Sequence, residues 1–202
     1  MTVTAERTAL EAAREVLSAL GSVRAAYVIG STATGAFEPG SSDLDLVIVL
    51  EGEPTRDELA ALAERLREVD VSPARGLELV AYAGGEVVLN VNTGPGMTEH
   101  VGYAGEDPEF WFLLDRAMAE RHAVVLTGPD WSVSFPAVPR EQVVAALRAS
   151  LDWHQIEEPA SRNAVLNTLR TWRWLETGDW VSKPEAARWL RGRVDAQLEG
   201  EL

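Results

Sequence analysis

The chain has 202 residues, 46% of them hydrophobic, with no cysteine and a formal charge of −14. The absence of cysteine excludes a disulfide framework, thiolate zinc ligation and a cysteine nucleophile, and suits a reducing, cytoplasmic location. Such an acidic chain is a poor binder of phosphate backbones, which select Lys and Arg, so no nucleic-acid partner is expected. A small cationic ligand suits the field better, although the same charge also serves solubility. No run of eighteen apolar residues and no export signal is present, so neither membrane nor secretion is expected.

In chain order, Thr4 to Leu20 carries Leu10, Ala13, Val16, Leu17 and Leu20 at helical spacing, and Gly21 closes it. Two short apolar runs follow, Ala25 to Ile29 and Leu44 to Leu50, with the β-branched content of buried strands. Pro54 to Val69 repeats Leu59, Leu62, Leu66 and Val69 on one helical face, with Pro54 at its start. Leu77 to Ala83 and Val87 to Val91 form two strands around a Gly84-Gly85 hairpin turn. Thr93 to Asp107, rich in glycine and acid, reads as a long loop with little regular structure. A helix over Phe110 to Arg121 and a short strand over His122 to Leu126 complete the first part. From Pro139 the chain is helix-forming throughout: Arg140 to Gln155, Asn163 to Glu176 and Pro184 to Leu198. This composition divides the protein at residues 1–133 and 134–202.

The chemistry concentrates where the first strand ends and the second begins. Gly30-Ser31 terminates one run, and Ser42-Asp43-Leu44-Asp45 heads the next. Glycine permits close backbone approach to a phosphate, and a serine hydroxyl with the amides of a following helical turn can donate to it. In a strand, Asp43 and Asp45 project to one face with Cα atoms roughly 6.6 Å apart, a spacing that lets two carboxylates share divalent cations. Their plain alternative is an Asx-type cap at a solvated strand edge. Asp45, however, lies within an apolar run, where an unpaired charge is costly. Glu78 repeats the exception among Leu77, Leu79 and Val80, and either ligates metal, takes a proton or faces solvent. Glu86, after the Gly84-Gly85 turn, is the fallback.

Lys183 stands inside a Ser182-x-x-Glu185 capping pattern, where its charge opposes the helix dipole unless an anion is held there; otherwise it reaches into water. Arg170 either reaches the same phosphates or pairs with an acidic neighbour. The tryptophans at 153, 172, 174, 180 and 189 read mainly as helix-packing residues. His100, His122 and His154 show no metal-ligand spacing, and none is nominated.

Gly30-Ser31, Gly35 and Ser42-Asp43-Leu44-Asp45 resemble the motif of the polymerase-β-like nucleotidyltransferase superfamily. "LELVAYA", "VLTGP", "SRNAVLNTLRTW" and "VSKPEAARW" extend the resemblance to the streptomycin/spectinomycin (aminoglycoside) adenylyltransferase family, from about residue 25 to residue 190. It implies an α+β fold: an N-terminal nucleotidyltransferase domain with a mixed β-sheet flanked by helices, then a C-terminal α-helical bundle. The implied activity is transfer of AMP from MgATP to a hydroxyl of an aminoglycoside-like acceptor, held with ATP in the cleft between the domains. In that reading Asp43, Asp45 and Glu78 hold Mg²⁺, as two ions, and Glu78 is the catalytic base. Gly30, Ser31, Ser42, Arg170 and Lys183 meet the nucleotide. Where the family has an acidic residue before its Arg-Asn pair, here Arg162-Asn163, this chain has Ala160-Ser161, so Glu157 and Glu158 are the candidates to face the cationic acceptor. The spacing from Ser31 to Asp43 is one residue longer than in the drug-modifying relatives, and the family's last helix is expected to be short or missing after Leu198. A monomer is expected. A transferase acting on another small molecule or on a protein, as in toxin-antitoxin systems, and a silent nucleotide-binding module are the alternatives.

Overall fold

The computed structural model describes residues 8–200. They form two compact units, one up to Val138 and one from Pro139. In the first, α1 (Ala9–Leu20), β1 (Ala25–Val28), the single-turn α2 (Gly30–Ala33), β2 (Leu44–Val49), α3 (Arg56–Arg67), β3 (Leu77–Ala83), β4 (Glu86–Thr93), β5 (His100–Tyr103), α4 (Glu109–His122), β6 (Val124–Thr127) and α5 (Trp131–Ser134) follow one another. The second contains α6 (Arg140–Glu157), α7 (Arg162–Thr177) and α8 (Lys183–Gly200). Among the described residues no helix is long and apolar enough to cross a membrane. The start of the first helix at Thr4 lies outside the described residues.

The six strands make one mixed sheet in the order β5-β4-β3-β2-β1-β6. Only β2 and β3 run parallel; the remaining neighbours are antiparallel. Because side chains alternate along a strand, β2 sends Leu44, Leu46 and Ile48 to one face and Val47 and Val49 to the other. The first set joins Ala13 and Val16 of α1 and Leu62 and Leu66 of α3 in one core. The second packs with Tyr27, Tyr82, Phe112, Trp131 and Phe135. There, edge-on aromatic contacts join Tyr27 to Trp131 (centroids 5.0 Å apart) and Tyr82 to Phe135 (4.9 Å).

Local signals explain the helix limits. Thr8 with Glu11, and Thr55 with Glu58, form complete capping boxes, so α3 begins after Thr55 and Pro54 stands just outside it. Gly84 and Gly85 take φ of +59° and +91°, the left-handed geometry of a two-residue hairpin turn. The Thr93 to Asp107 segment departs from the expected loop, because His100 to Tyr103 pairs with β4 as an edge strand, Val101 opposite Val91. Four residues bounded by glycine and acid carry too little periodicity to announce a strand; the pairing comes from the exposed edge of β4. In the second unit, Gly178 closes α7 with φ of +75°, its amide donating to Trp174 O at 2.7 Å. Trp174 is buried against Trp180 with ring centroids 5.3 Å apart, whereas Trp172 is largely exposed.

Candidate active site

Asp45 and Glu78 are brought side by side by the parallel pairing of β2 and β3, in which they are direct register partners. Both stand on the sheet face opposite the α1 and α3 core. Their carboxyls are hydrogen-bonded, and the Asp45 pKa is held well above the ordinary carboxylate value. Burial is the main cause, followed by the negative charges of Glu78, Asp115 and Asp43. Four carboxylates therefore concentrate at one place, more negative charge than a folded protein holds there without a cation or a proton.

Asp43, two residues before Asp45, is gripped from the side. The Arg75 guanidinium donates from Nε to Asp43 Oδ1 at 2.6 Å and from Nη2 to Oδ2 at 2.9 Å. Sequence reasoning did not single out Arg75 or Asp115. The first had a signal, a charged residue immediately before the Gly76-Leu77-Glu78 strand start, but Asp115 sits on α4, and its approach to the site is set by how that helix crosses the sheet.

Gly30 completes the arrangement. Its φ is +62°, and a Cβ built on it would lie 1.9 Å from Asp45 Oδ2 and 2.5 Å from its Cγ. Glycine is thus required both by the backbone and by the carboxylate lying on it. Next in the chain, the Ser31 and Thr32 hydroxyls are buried and find no hydrogen-bond partner within the protein. Orphaned donors beside a first helical turn are what an anionic ligand would satisfy. Ser42 is used within its own loop, its Oγ accepting from Glu38 N at 3.0 Å.

Among the described residues no three His, Cys, Asp or Glu side chains stand in a ready metal cage. The chemistry of the donors nevertheless suits Mg²⁺: Asp43, Asp45 and Glu78 offer hard carboxylate oxygens whose mutual repulsion a cation would relieve. A site that leaves coordination positions for phosphate oxygens has that character.

In the second unit Lys183, Asn163 and Glu158 are joined. Lys183 Nζ donates to Asn163 Oδ1 at 2.7 Å, and Asn163 Nδ2 donates to Glu158 Oε2 at 3.3 Å. His154, buried and not nominated from the sequence, links onward: Nδ1 lies 3.2 Å from Glu158 Oε2, and Nε2 lies 2.9 Å from the Asn167 amide. The Ser182 capping box forms, with Glu185 Oε2 accepting from Ser182 N at 2.9 Å. Glu157 and Arg162 are exposed, and Arg170 is half-buried on α7.

A mixed sheet with paired acids behind a Gly-Ser turn defines a nucleotidyltransferase domain, and residues 10–84 match the model described as "Nucleotidyltransferase domain". Residues 134–200 match "Aminoglycoside adenylyltransferase, C-terminal domain". With both models matched in this order, the chain belongs to the aminoglycoside adenylyltransferase family and is a nucleotidyltransferase. A spectinomycin 9-adenylyltransferase of Staphylococcus aureus is 27% identical over 190 residues, spanning 83% of this chain and 70% of the relative. An aminoglycoside (3'') (9) adenylyltransferase of Klebsiella pneumoniae is 26% identical over 194 residues, spanning 87% and 73%. The fold is similar to the crystal structure of spectinomycin adenyltransferase AAD(9) from Enterococcus faecialis with ATP and spectinomycin, with a TM-score of 0.66 at 19% identity over 88% of this chain and 79% of that one.

Proposed function

We propose that the protein transfers AMP from ATP to a hydroxyl of an aminoglycoside-like acceptor, releasing pyrophosphate. The observation that carries this reading is the half-buried Asp45-Glu78 pair, in register across β2 and β3, with Asp45 seated on Gly30. The acceptor oxygen attacks the α-phosphorus, the bond from that phosphorus to the pyrophosphate oxygen breaks, and the hydroxyl proton passes to Glu78. Bound at Asp43, Asp45 and Glu78, Mg²⁺ would neutralise charge on the phosphates and steady the entering and leaving oxygens. Gly30 gives the phosphate chain close access to the backbone, the Ser31 hydroxyl donates to it, and Ser42 holds the loop that presents Asp43. In the same reading Lys183 and Arg170 contact nucleotide phosphates. Glu157 and Glu158, flanking Arg162 and Asn163, attract the ammonium groups of the acceptor. Positioning and charge neutralisation supply most of the rate, as in phosphoryl-type transfer generally.

The test is incubation with Mg²⁺, each of the four nucleotides and an aminoglycoside and aminocyclitol panel, followed by mass spectrometry, with Asp43→Asn as blank. A nucleotidyl adduct on a drug, absent from the blank, is expected. Adducts on none of the panel would refute the acceptor, and an adduct on the protein itself would point to protein modification instead.

A further inference from the structure

Arg75 is held from several directions at once. Its amide donates to Ser42 O at 3.0 Å, and its carbonyl accepts from Gly96 N at 2.9 Å. Its Nη1 donates to Gly96 O at 3.3 Å, while Nε and Nη2 take the two oxygens of Asp43. Glycines at 94 and 96 let the neighbouring loop lie directly on this segment: a Cβ on Gly96 would fall 2.9 Å from Arg75 Cβ, and one on Gly94 would fall 2.6 Å from Gly76 Cα. The arginine's main chain is thereby fixed by backbone on both sides, and its guanidinium is held by the Asp43 carboxylate and the Gly96 carbonyl. A fork of this kind fixes the plane of the carboxylate it grips, and leaves the remaining lone pairs of each oxygen pointing elsewhere.

We infer that Arg75 is a positioning residue for the metal site: its two-point grip on Asp43 sets the direction in which that carboxylate offers its free lone pairs to a divalent cation. This inference rests on the nucleotidyltransferase reading of the carboxylate cluster. Arg75 carries the same sign of charge as the cation, and the orientation it gives the ligand offsets that repulsion. The fork geometry, not the charge, does the work, so lysine does not replace it.

The experiment measures Mn²⁺ binding by calorimetry and electron paramagnetic resonance, without nucleotide, in the wild type, Arg75→Lys, Arg75→Met and Asp43→Asn. The Mg²⁺ dependence of MgATP turnover and thermal unfolding are measured in parallel. Arg75→Lys and Arg75→Met are both expected to bind Mn²⁺ about tenfold more weakly, and to need correspondingly more Mg²⁺ for half-maximal turnover, while remaining folded. Tighter Mn²⁺ binding in Arg75→Met alone would overturn the inference and make the arginine a mere counter-charge. Unchanged affinity in both variants, with only a lowered melting temperature, would overturn it in favour of loop cohesion. In either of those cases Asp43→Asn still loses the ion and the metal-site reading of the carboxylates stands; wild-type protein that binds no Mn²⁺ overturns that reading and the inference with it.

Discussion

Replacing Gly30 by alanine tests the closest approach in the site. The new methyl carbon would start 1.9 Å from Asp45 Oδ2 and 3.0 Å from Asp45 Cβ, far inside van der Waals contact. A left-handed φ of +62° adds a backbone cost of about 1–2 kcal/mol for a residue with a Cβ. Relieving the clash requires Asp45 to leave its rotamer or β2 to shift, an overpacking cost of about 1–3 kcal/mol. The sum is about 2–5 kcal/mol. Gly35 supplies the internal control, because its φ is +72° but nothing lies within 4 Å of a Cβ placed there. Gly35→Ala therefore carries only the backbone component, and the two variants should differ by about 1–3 kcal/mol. With a urea m-value of roughly 2 kcal/mol/M, that is a midpoint difference of about 0.5–1.5 M. Pyrophosphate release from MgATP with an acceptor from the panel should fall about a hundredfold in Gly30→Ala, the usual cost of displacing a reacting group by about 1 Å. Equal urea midpoints for the two alanine variants, with turnover intact in Gly30→Ala, would refute the argument that Asp45 is seated on this glycine.

Asp43→Asn should lower turnover by at least about a hundredfold, as expected for removal of a charge that acts in the transition state. Its urea midpoint should change little, because the Arg75 side chain released is 43% exposed and can be hydrated. Without divalent cations the raised Asp45 pKa means that the folded state binds a proton the unfolded state gives up. Stability should then decline as pH rises from about 4 through the Asp45 pKa and level off above it. Asp45→Asn should abolish that decline and stabilise the metal-free protein at neutral pH while eliminating turnover; a variant as pH-sensitive as the wild type would count against the assignment. Mg²⁺ should raise the melting temperature of the wild type at pH 7 and leave that of Asp45→Asn unchanged. Ser182→Ala removes the cap of α8 and should cost about 1 kcal/mol in thermal denaturation followed by circular dichroism.

The carboxylate motif was legible because charge inside an apolar strand has few explanations, and Asp45 and Glu78 each break such a run. Strand limits were readable for the same reason: Leu77 to Ala83 is apolar apart from Glu78, and it forms β3 over that span. Residues whose role depends on a tertiary approach left weaker traces. Asp115 is an ordinary acid on an amphipathic helix, and only the crossing of α4 over the sheet carries its charge to Asp45. Arg75 touches a residue 32 positions earlier, a pairing no local period encodes. His154 is half legible: Glu158 is its i+4 neighbour at the end of the same helix, while Asn167 belongs to α7, and no spacing announces that second contact. β5 was missed because its partner strand, not its own sequence, makes it a strand.

The one parallel pair in the sheet has a consequence for how the site can fail. Sliding β3 past β2 by a single residue would turn Glu78 into the space filled by Leu77 and Leu79, and would bring those leucines out among the acids. Such a misaligned chain could neither close its interior nor assemble its chemistry. Folding thus acts as its own inspection step against this slip: a molecule whose β3 is displaced by one residue cannot seal its leucine layer.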